Sequence, residues 1–235
     1  MGKALSFILR GDYGHFKKYY TTTSPLTFEF PPPPTIIGIV SAIIGLDKET
    51  YLHHFPDNSW KIAVCITRTV KKVRWTVNMV DTKQHFWRIK NRTQIRTEYL
   101  KDPEFRIYFY HSDKDLYELL KEKLSSHQSV YTVSLGLSEL IGDFSFEGEW
   151  PLTECDDTGF QEIRSVVPVS CLQDDSSVAF DSGLELFKVN YPVSMAPDRT
   201  VTRRDDVLFE RCARSISCKV RQSFDTGKGD RIVFF

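Results

Sequence analysis

Hydrophobic positions at the start of the chain change from a continuous run to a helical spacing. Residues 4–10 (ALSFILR) form a short apolar run, which is typical of a buried strand. After four prolines, isoleucine and valine recur at helical intervals in residues 36–44, which predicts a buried helix. Thr35 can cap the start of this helix and Gly45 can end it. Gly38 within it is expected to permit close packing against another backbone.

The middle of the chain alternates between apolar and polar side chains, as strands do. Residues 61–70 (KIAVCITRTV) are predicted to form a buried strand, and residues 105–110 (FRIYFY) place apolar and polar side chains on opposite faces of another. Residues 71–101 between them are rich in lysine, arginine, threonine and aromatic residues, with enough alternation for a long β-hairpin. The sequence therefore predicts two core strands with a hairpin inserted between them.

A second helix and a further strand are predicted beyond these strands. Ser112 and Asp115 resemble a capping box at a helix start. An apolar stripe of leucines follows at helical intervals: Leu116, Leu119, Leu120 and Leu124. Residues 130–135 are predicted to be the strand that returns to the sheet.

The resulting order is strand, helix, strand, hairpin, strand, helix, strand. Without the hairpin, this order is the βαββαβ pattern of an α+β, ferredoxin-like (RRM-like) fold. We predict that residues 1–135 form this domain, with the hairpin inserted at about residues 71–101. Residues 136–235 contain glycine, proline and aspartate around short β runs, and are predicted to be a small, mostly β C-terminal extension.

Charge is unevenly distributed, although 31 basic and 31 acidic residues leave no net charge. Residues 61–101 carry eleven basic and two acidic side chains, and residues 199–235 carry nine and five. Residues 102–198 carry six basic and nineteen acidic side chains. Two basic zones that flank an acidic region indicate that one surface meets a polyanion and another does not.

Cysteine usage and hydropathy exclude several other classes of protein. The five cysteines are an odd number without a C-x-x-C pair, which favours reduced thiols in the cytoplasm over a disulfide framework or a zinc site. No apolar run approaches the roughly 18 residues of a transmembrane helix. Arg10 and Asp12 interrupt the apolar start where a signal peptide would need its core. We therefore expect a cytoplasmic protein with no membrane contact, no metal and no cofactor.

The loop after the first predicted strand contains one set of candidate nucleic-acid-binding residues. It combines glycines, cations and aromatic rings, which suit phosphates and unpaired bases. The candidates are Arg10, Gly11, Tyr13, Gly14, His15, Phe16, Lys17, Lys18, Tyr19 and Tyr20, with Thr35 at the helix entry. On composition alone, the alternative is a solvated loop whose aromatic side chains simply pack.

The predicted hairpin contains a second set of candidates. Its cations are interleaved with aromatic residues, so the cations can neutralise phosphates while the rings stack on splayed bases. The candidates are Lys71, Lys72, Arg74, Trp75, Arg88, Lys90, Arg92 and Arg96. The alternative is a solvated, charged hairpin that prevents edge-to-edge aggregation.

The sequence from Gly11 to Gly45 resembles the N-terminal signature of the CRISPR-associated protein 5 family. The family pattern has a strand, a loop of glycine and aromatic residues, a Thr-Ser-Pro stretch, and Pro-Pro-x-Thr-x-x-Gly at the start of a hydrophobic helix. Here the last element is PPTIIG at residues 33–38, and LGL at residues 135–137 extends a weaker resemblance over more of the chain. The Thr-Ser-Pro stretch and the four prolines are most similar to subtype I-B.

This resemblance implies a function in antiviral defence. Family members are subunits of the type I CRISPR Cascade surveillance complex, where they hold the 5′ handle of the guide RNA (crRNA). It implies a ferredoxin-like domain with a long β-hairpin, which we call the thumb and which corresponds to residues 71–101. It also implies a non-catalytic protein that caps the crRNA, contacts the backbone subunits and the large subunit, and meets target DNA only indirectly.

One branch of the family cuts precursor crRNA, so a metal-independent endoribonuclease is the alternative function. That branch uses tyrosine, lysine and histidine side chains, which can supply an acid and a base. His15 with Lys17 or Lys18, and His85 with Lys83, can imitate such a set, but neither pair matches the motif of that branch. We therefore predict no catalytic residues. An unrelated ferredoxin-like interaction module is a further alternative.

Overall fold

The computed structural model describes residues 2–80, 87, 92–155, 157–174 and 177–235. Among these residues there are two α-helices, α1 (Pro33–Ile44) and α2 (Lys114–Ser125), and short 3-10 helices at Tyr51–His54 and Val169–Cys171. The strands, in chain order, are β1 (Lys3–Gly11), β2 (Tyr13–Gly14), β3 (Trp60–Ile66), β4 (Lys71–Val80), β5 (Arg92–Lys101), β6 (Glu104–His111), β7 (Gly142–Pro151), β8 (Thr153–Cys155), β9 (Gln161–Ile163), β10 (Val167–Pro168), β11 (Leu186–Met195), β12 (Val201–Glu210), β13 (Ile216–Cys218), β14 (Ser223–Asp225) and β15 (Arg231–Ile232).

Four strands form the central sheet in the order β3-β6-β1-β7, and every neighbouring pair is antiparallel. Leu5 in β1 pairs with Phe109 of β6 on one side and Glu149 of β7 on the other. The remaining strands form smaller sheets, whose pairs are also antiparallel. The protein is therefore mixed α/β, with few helices and antiparallel sheets among the described residues.

The strand that returns to the central sheet is β7, so the prediction of a strand at residues 130–135 is wrong. The backbone N–H groups of Val130 and Tyr131 instead donate to carbonyl oxygens near the end of α1, at 3.1 and 3.0 Å. Carbonyl groups in the last turn of a helix have no hydrogen-bond donor within the helix. Residues 130 and 131 supply those donors, so this segment completes the end of α1 and does not extend the sheet. The alternation in β7 is harder to recognise because Gly148 interrupts it where the pairing with β1 shifts register.

Helix α1 begins earlier than predicted because prolines occupy its first turn. Its N-cap is Pro32, and Pro33 and Pro34 lack the N–H groups that a capping side chain would satisfy. Thr35 lies inside the helix, where its N–H donates to the Pro32 carbonyl at 2.9 Å, so the prediction that it caps the helix is wrong. Gly45 ends the helix as predicted, with a left-handed φ of 85°.

Gly38 does not pack against another backbone, contrary to the sequence-based expectation. A Cβ placed on Gly38 would have only the hydroxyl of Tyr51 nearby, at 4.0 Å. Ile36, Ile37 and Ile39 bury the other sides of the helix. Gly38 therefore borders open space on the half-buried side of α1.

Helix α2 is capped by Asp113, not by the predicted Ser112 and Asp115 pair. The Asp113 carboxylate accepts hydrogen bonds from the N–H groups of Asp115 and Leu116 at 2.9 and 3.3 Å. Three predicted core leucines are buried, but Leu119 is 38% exposed. Tyr117 is buried in addition, and its hydroxyl donates to Glu149 at 3.2 Å. The buried face of α2 is therefore rotated towards Tyr117.

Both faces of the central sheet are covered. On one face, the alternate residues Leu5, Phe7 and Leu9 of β1 join the side chains of both helices in the largest hydrophobic cluster. On the other face, Tyr108 and Cys65 pack under residues near the end of the chain, including Phe224, Ile232 and Phe234. The C-terminal region therefore closes the face of the sheet that the helices leave open.

A charged network attaches this C-terminal region to the sheet. Arg106 in β6 makes two hydrogen bonds to Glu147 at 2.6 and 3.0 Å, and one to Asp230 at 2.9 Å. Tyr108 donates to the same Asp230 carboxylate at 2.8 Å. Burial alone would raise the pKa of Glu147, but hydrogen bonds from Arg106 and other donors outweigh it and lower the pKa to about 2.

The predicted hairpin strands are confirmed by β4 and β5, which pair along their whole length from Lys71 opposite Lys101 to Val80 opposite Arg92. The short strand β2 adds to β5 and ties the hairpin to the loop after β1. Beyond β7, the described residues form only strands, one 3-10 helix and irregular segments. The described part of residues 136–235 is therefore mostly β, but its first strand, β7, belongs to the central sheet and not to a separate extension. No helix among the described residues is long and apolar enough to cross a membrane.

Candidate nucleic-acid interface

A groove runs along the half-buried side of α1, between the loop of residues 11–20 and the β11–β12 hairpin. It consists of two cavities of about 300 and 320 Å³. Both are lined by Pro34, Thr35, Gly136 and Met195, so they form one continuous depression. We call it the α1 groove.

Gly136 forms the floor of the α1 groove at a very close approach of two backbones. It has a φ of 101°, and a Cβ there would lie 1.9 Å from the carbonyl oxygen of His15. The N–H of His15 donates to the carbonyl of Leu135 at 2.8 Å and joins the two segments. Only glycine fits this position, because any side chain would force the segments apart.

Four predicted loop residues are buried: Gly14, His15, Phe16 and Lys18. The Nδ1 atom of His15 lies 2.7 Å from the carbonyl oxygen of Glu98, and burial lowers the histidine's pKa. Phe16 belongs to the main hydrophobic cluster. Lys18 donates to Glu29 at 3.2 Å. These residues are withdrawn from solvent and fix the loop in place, although His15 and Phe16 still line one cavity of the α1 groove.

Three other residues of this loop, Lys17, Tyr19 and Tyr20, are exposed to solvent at or beside the α1 groove. Lys17 is exposed, and its ammonium group has no hydrogen bond or ion pair with any described residue. Tyr19 and Tyr20 are 52% and 58% exposed, with perpendicular rings whose centroids lie 5.1 Å apart. The guanidinium carbon of Arg204, from β12, lies 3.6 Å from the centroid of the Tyr19 ring. Lys17, Tyr19, Thr35 and Arg204 all line the same cavity.

Two carboxylates neutralise the predicted cations at the base of the thumb. Glu98 accepts from Lys72 and Arg74, both at 3.1 Å. Glu29 accepts from Lys72 at 2.7 Å, and Lys18 also donates to it. Burial by itself opposes ionisation of both carboxyls, but the neighbouring cations outweigh it and lower both pKa values. Lys72 and Arg74 therefore hold the thumb to the domain, and their charge is largely compensated.

Other aromatic and basic side chains of the thumb, from Lys71 at its base to Arg92, are exposed. Trp75 is 44% exposed, and its ring contacts Tyr13 edge-on at 4.4 Å and Tyr99 at 5.4 Å. Three predicted cations are exposed with no ion pair to any residue that the structure describes: Lys71, Arg92 and Arg96. The predicted contacts at Arg88 and Lys90 lie outside the described residues.

Arg10 and Gly11 lie apart from the α1 groove. They line a different cavity of about 350 Å³, together with Arg68, Asp102 and Asp143. The Arg10 guanidinium donates to Asp143 at 3.0 Å. The structure therefore does not bring these two predicted residues together with Lys17 and Tyr19.

Among the described residues, neither histidine–lysine pair considered from the sequence places both side chains where a substrate could reach them. His15 is buried, whereas Lys17 faces the α1 groove. His85 and Lys83 lie outside the described residues. Over the same part of the chain, no three histidine, cysteine or acidic side chains are grouped as metal ligands.

Sequence reasoning missed the contribution of the C-terminal region to the groove. Pro192 and Met195 of β11, and Val201 and Arg204 of β12, line the cavity beside Lys17. The basic zone at residues 199–235 was a signal, but composition could not tell which of its nine cations faces the loop. Gly136 belongs to the LGL motif of the family resemblance, but the sequence did not predict it as a site residue.

A model of the family described as CRISPR-associated protein (Cas_Cas5) matches residues 4–141. The match includes the loop after β1, α1, the thumb strands and Gly136, and ends before β7. A search of curated proteins finds no match.

Solved CRISPR-related structures have a similar fold. "Crystal structure of a CRISPR protein from Archaeoglobus fulgidus" is 13% identical, with a TM-score of 0.54 over 98% of this chain and 97% of that one. A chain of "CRISPR RNA-guided surveillance complex" is 11% identical, with a TM-score of 0.51 over 91% of each chain. A chain of "Cryo-EM structure of the Type III-B Cmr-beta bound to cognate target RNA and AMPPnP, state 1" is 11% identical, with a TM-score of 0.54 over 91% of this chain and 86% of that one. At these identities, the similarity concerns the fold alone.

Proposed function

Because the chain belongs to the CRISPR-associated protein (Cas_Cas5) family, we propose that it is a non-catalytic subunit of a type I CRISPR Cascade complex that binds the 5′ handle of the crRNA. The α1 groove carries this proposal. Most of its lining comes from the family-matched region, where Lys17 and Tyr19 line it with exposed side chains and Tyr20 is exposed beside Tyr19. Unpaired cations and exposed aromatic rings suit the phosphates and unstacked bases of single-stranded RNA.

We assign the domain to the ferredoxin-like fold. The strand–helix–strand–strand–helix–strand order, interrupted by the thumb, and the antiparallel order β3-β6-β1-β7 support this assignment. RRM-type domains stack bases on the open face of such a sheet. Here Phe224, Ile232 and Phe234 occupy that face. The RNA therefore binds at the α1 groove and the thumb, not on the sheet.

The thumb is the second proposed RNA contact. Lys71, Arg92 and Arg96 carry uncompensated charge among the described residues, and Trp75 offers an exposed ring. The thumb inserts between the crRNA and a neighbouring backbone subunit. The acidic residues 102–198 face protein partners such as the large subunit, and the complex meets target DNA through crRNA base pairing. Subtype I-B and a cytoplasmic location remain predictions from the sequence.

The non-catalytic assignment is favoured over an endoribonuclease by the environment of His15. A general acid or base must reach the substrate within hydrogen-bond distance. His15 is 3% exposed and its Nδ1 already faces a backbone carbonyl. Burial also lowers the pKa of His15, which disfavours the charged imidazolium that a general acid would use.

Binding of the handle is tested by fluorescence anisotropy with the full chain. The probes are an RNA with the 5′ handle of a type I crRNA repeat and an RNA of equal length and scrambled handle. We expect tighter binding of the handle RNA, and Lys17→Gln should weaken it roughly tenfold, as expected for loss of one charged hydrogen bond. Lys114→Gln is the matched control, because Lys114 is exposed at the start of α2 and lines neither cavity of the groove. Equal binding of both RNAs, or no binding at low salt, would refute handle recognition.

Catalysis is tested by incubating unprocessed repeat RNA with the protein in chelator. We expect no site-specific cleavage by wild-type protein. Cleavage that is abolished by His15→Asn or His85→Ala, in variants that retain the wild-type melting temperature, would establish the endoribonuclease instead. Cutting that survives both substitutions indicates a contaminating nuclease.

A further inference from the structure

The β11–β12 hairpin forms one wall of the α1 groove, although it lies outside the residues that match the family model. Leu186–Met195 and Val201–Glu210 are paired antiparallel and pack against the main hydrophobic cluster through Tyr191 and Phe209. Tyr191 stacks on Phe30 at 4.2 Å, which fixes the hairpin beside the segment that enters α1. The wall is therefore rigidly positioned against the groove.

Arg204 is held on this wall by the ring of Tyr19. The guanidinium carbon lies 3.6 Å from the ring centroid, within the range of a cation–π contact. The Tyr19 hydroxyl reaches Asn190 of β11 at 3.5 Å, and Asn190 donates to Asp206 at 2.9 Å. Tyr19 therefore links the loop after β1 to the C-terminal hairpin and orients the guanidinium at the groove.

The guanidinium N–H donors of Arg204 are not used within the described part of the protein. Other arginine side chains here are engaged: Arg106 with Glu147, and Arg211 with Glu185. The Arg204 side chain makes no hydrogen bond or ion pair with a described residue, although acidic Asp205 and Asp206 follow it. Asp205 accepts from Ser170, and Asp206 lies near Lys188 and Asn190, so both carboxylates are directed elsewhere.

An arginine that is stacked on one face and has free donors is preorganised for an anion. Its planar guanidinium can donate two parallel hydrogen bonds to one phosphate. Lys17, in the same cavity, also has a free ammonium group among the described residues. Two uncompensated cations that line one cavity suit the phosphates of a single RNA strand.

We infer that Arg204, positioned by Tyr19, contacts a backbone phosphate of single-stranded RNA in the α1 groove, so that the C-terminal hairpin completes the RNA site. This inference rests on the proposed function, because it takes the groove to be the RNA site. It goes beyond it by assigning a binding role to the C-terminal hairpin, which supplies the second cation of the groove.

Arg204→Gln and Arg203→Gln form a matched pair, since each removes one positive charge from β12. Arg203 is exposed but lines neither cavity of the groove. With the full chain and handle RNA, we expect Arg204→Gln to reduce affinity roughly tenfold and to lower the slope of log K against log salt by about 0.7. Arg203→Gln should bind within about twofold of wild type. All variants should melt at the wild-type temperature.

A double-mutant cycle tests the positioning role of Tyr19. Tyr19→Leu should weaken binding because Arg204 loses its support, whereas adding Tyr19→Leu to Arg204→Gln should cause little further loss. If wild type binds handle RNA but Arg204→Gln binds equally well, or if Arg203→Gln loses as much, the inference is overturned and the proposed function stands. If wild type binds no RNA, the proposed function itself fails.

Discussion

Gly136→Ala is expected to destabilise the protein strongly, because the position combines an unusual backbone angle with a backbone contact. A non-glycine residue held in a rare φ region costs about 1–3 kcal/mol. The new Cβ would start 1.9 Å from the His15 carbonyl oxygen, so the two segments must separate by more than about 1 Å. That movement strains the His15 to Leu135 hydrogen bond, worth about 0.5–1.5 kcal/mol, and disturbs local packing. We expect a total loss of roughly 4 kcal/mol.

Gly38→Ala is the matched control, since it makes the same chemical change at another glycine that lines the same groove. Beyond the backbone of its own helix, its new methyl group would have the Tyr51 hydroxyl as its nearest neighbour, at 4.0 Å. It would lie in the interior of a helix, where alanine is favoured over glycine by about 0.5–1 kcal/mol. At about 2–4 °C per kcal/mol for a chain of this size, thermal melting should fall by roughly 8–16 °C for Gly136→Ala. It should rise by about 1–4 °C for Gly38→Ala. If both variants melt within about 2 °C of wild type, the close approach at Gly136 is not rigid and the argument fails.

Two further predictions concern the thumb and the charged network on the sheet. Arg96→Gln should weaken RNA binding and lower its salt dependence more than Arg74→Gln, because Arg74 is already paired with Glu98; equal effects in anisotropy titrations would contradict this. Glu147 has a pKa lowered from 4.5 to about 2, so its ionised form stabilises the fold fully above about pH 4.5 and this contribution is lost as the pH falls towards 2. The urea midpoint of Glu147→Gln should therefore lie furthest below that of wild type above pH 4.5, and the two midpoints should converge as the pH falls towards 2. A difference between the midpoints that stays constant over this pH range would show that ionisation of Glu147 does not stabilise the fold.

Local spacing was sufficient to predict the elements whose stability depends on neighbouring residues in the chain. The isoleucine pattern after the prolines predicted α1 and its end at Gly45, and alternation over residues 71–101 predicted the two strands of the thumb. The loop motif before α1 predicted the family that the match to residues 4–141 supports. The sequence pattern misled at residues 130–135, where an apolar segment donates hydrogen bonds to the end of α1. The fourth strand of the sheet is β7, whose alternation is less regular.

Tertiary structure decided which of the predicted cations are available to a ligand. Lys18, Lys72 and Arg74 looked equivalent to Lys17 in the sequence, yet Glu29 and Glu98 compensate their charge. Glu98 lies opposite Arg74 across the thumb, and Glu29 precedes Lys72 by 43 residues. Composition recorded the charges but not the strand register and packing that bring these partners together.

The same long-range folding joins two segments that the sequence holds far apart. Tyr19 meets Arg204 only because Tyr191 and Phe209 pack the C-terminal hairpin against the core beside α1. Periodicity describes which residues turn towards the core, since it depends on the local backbone repeat. The composition of the groove depends instead on which elements pack together, and that is determined by the tertiary fold.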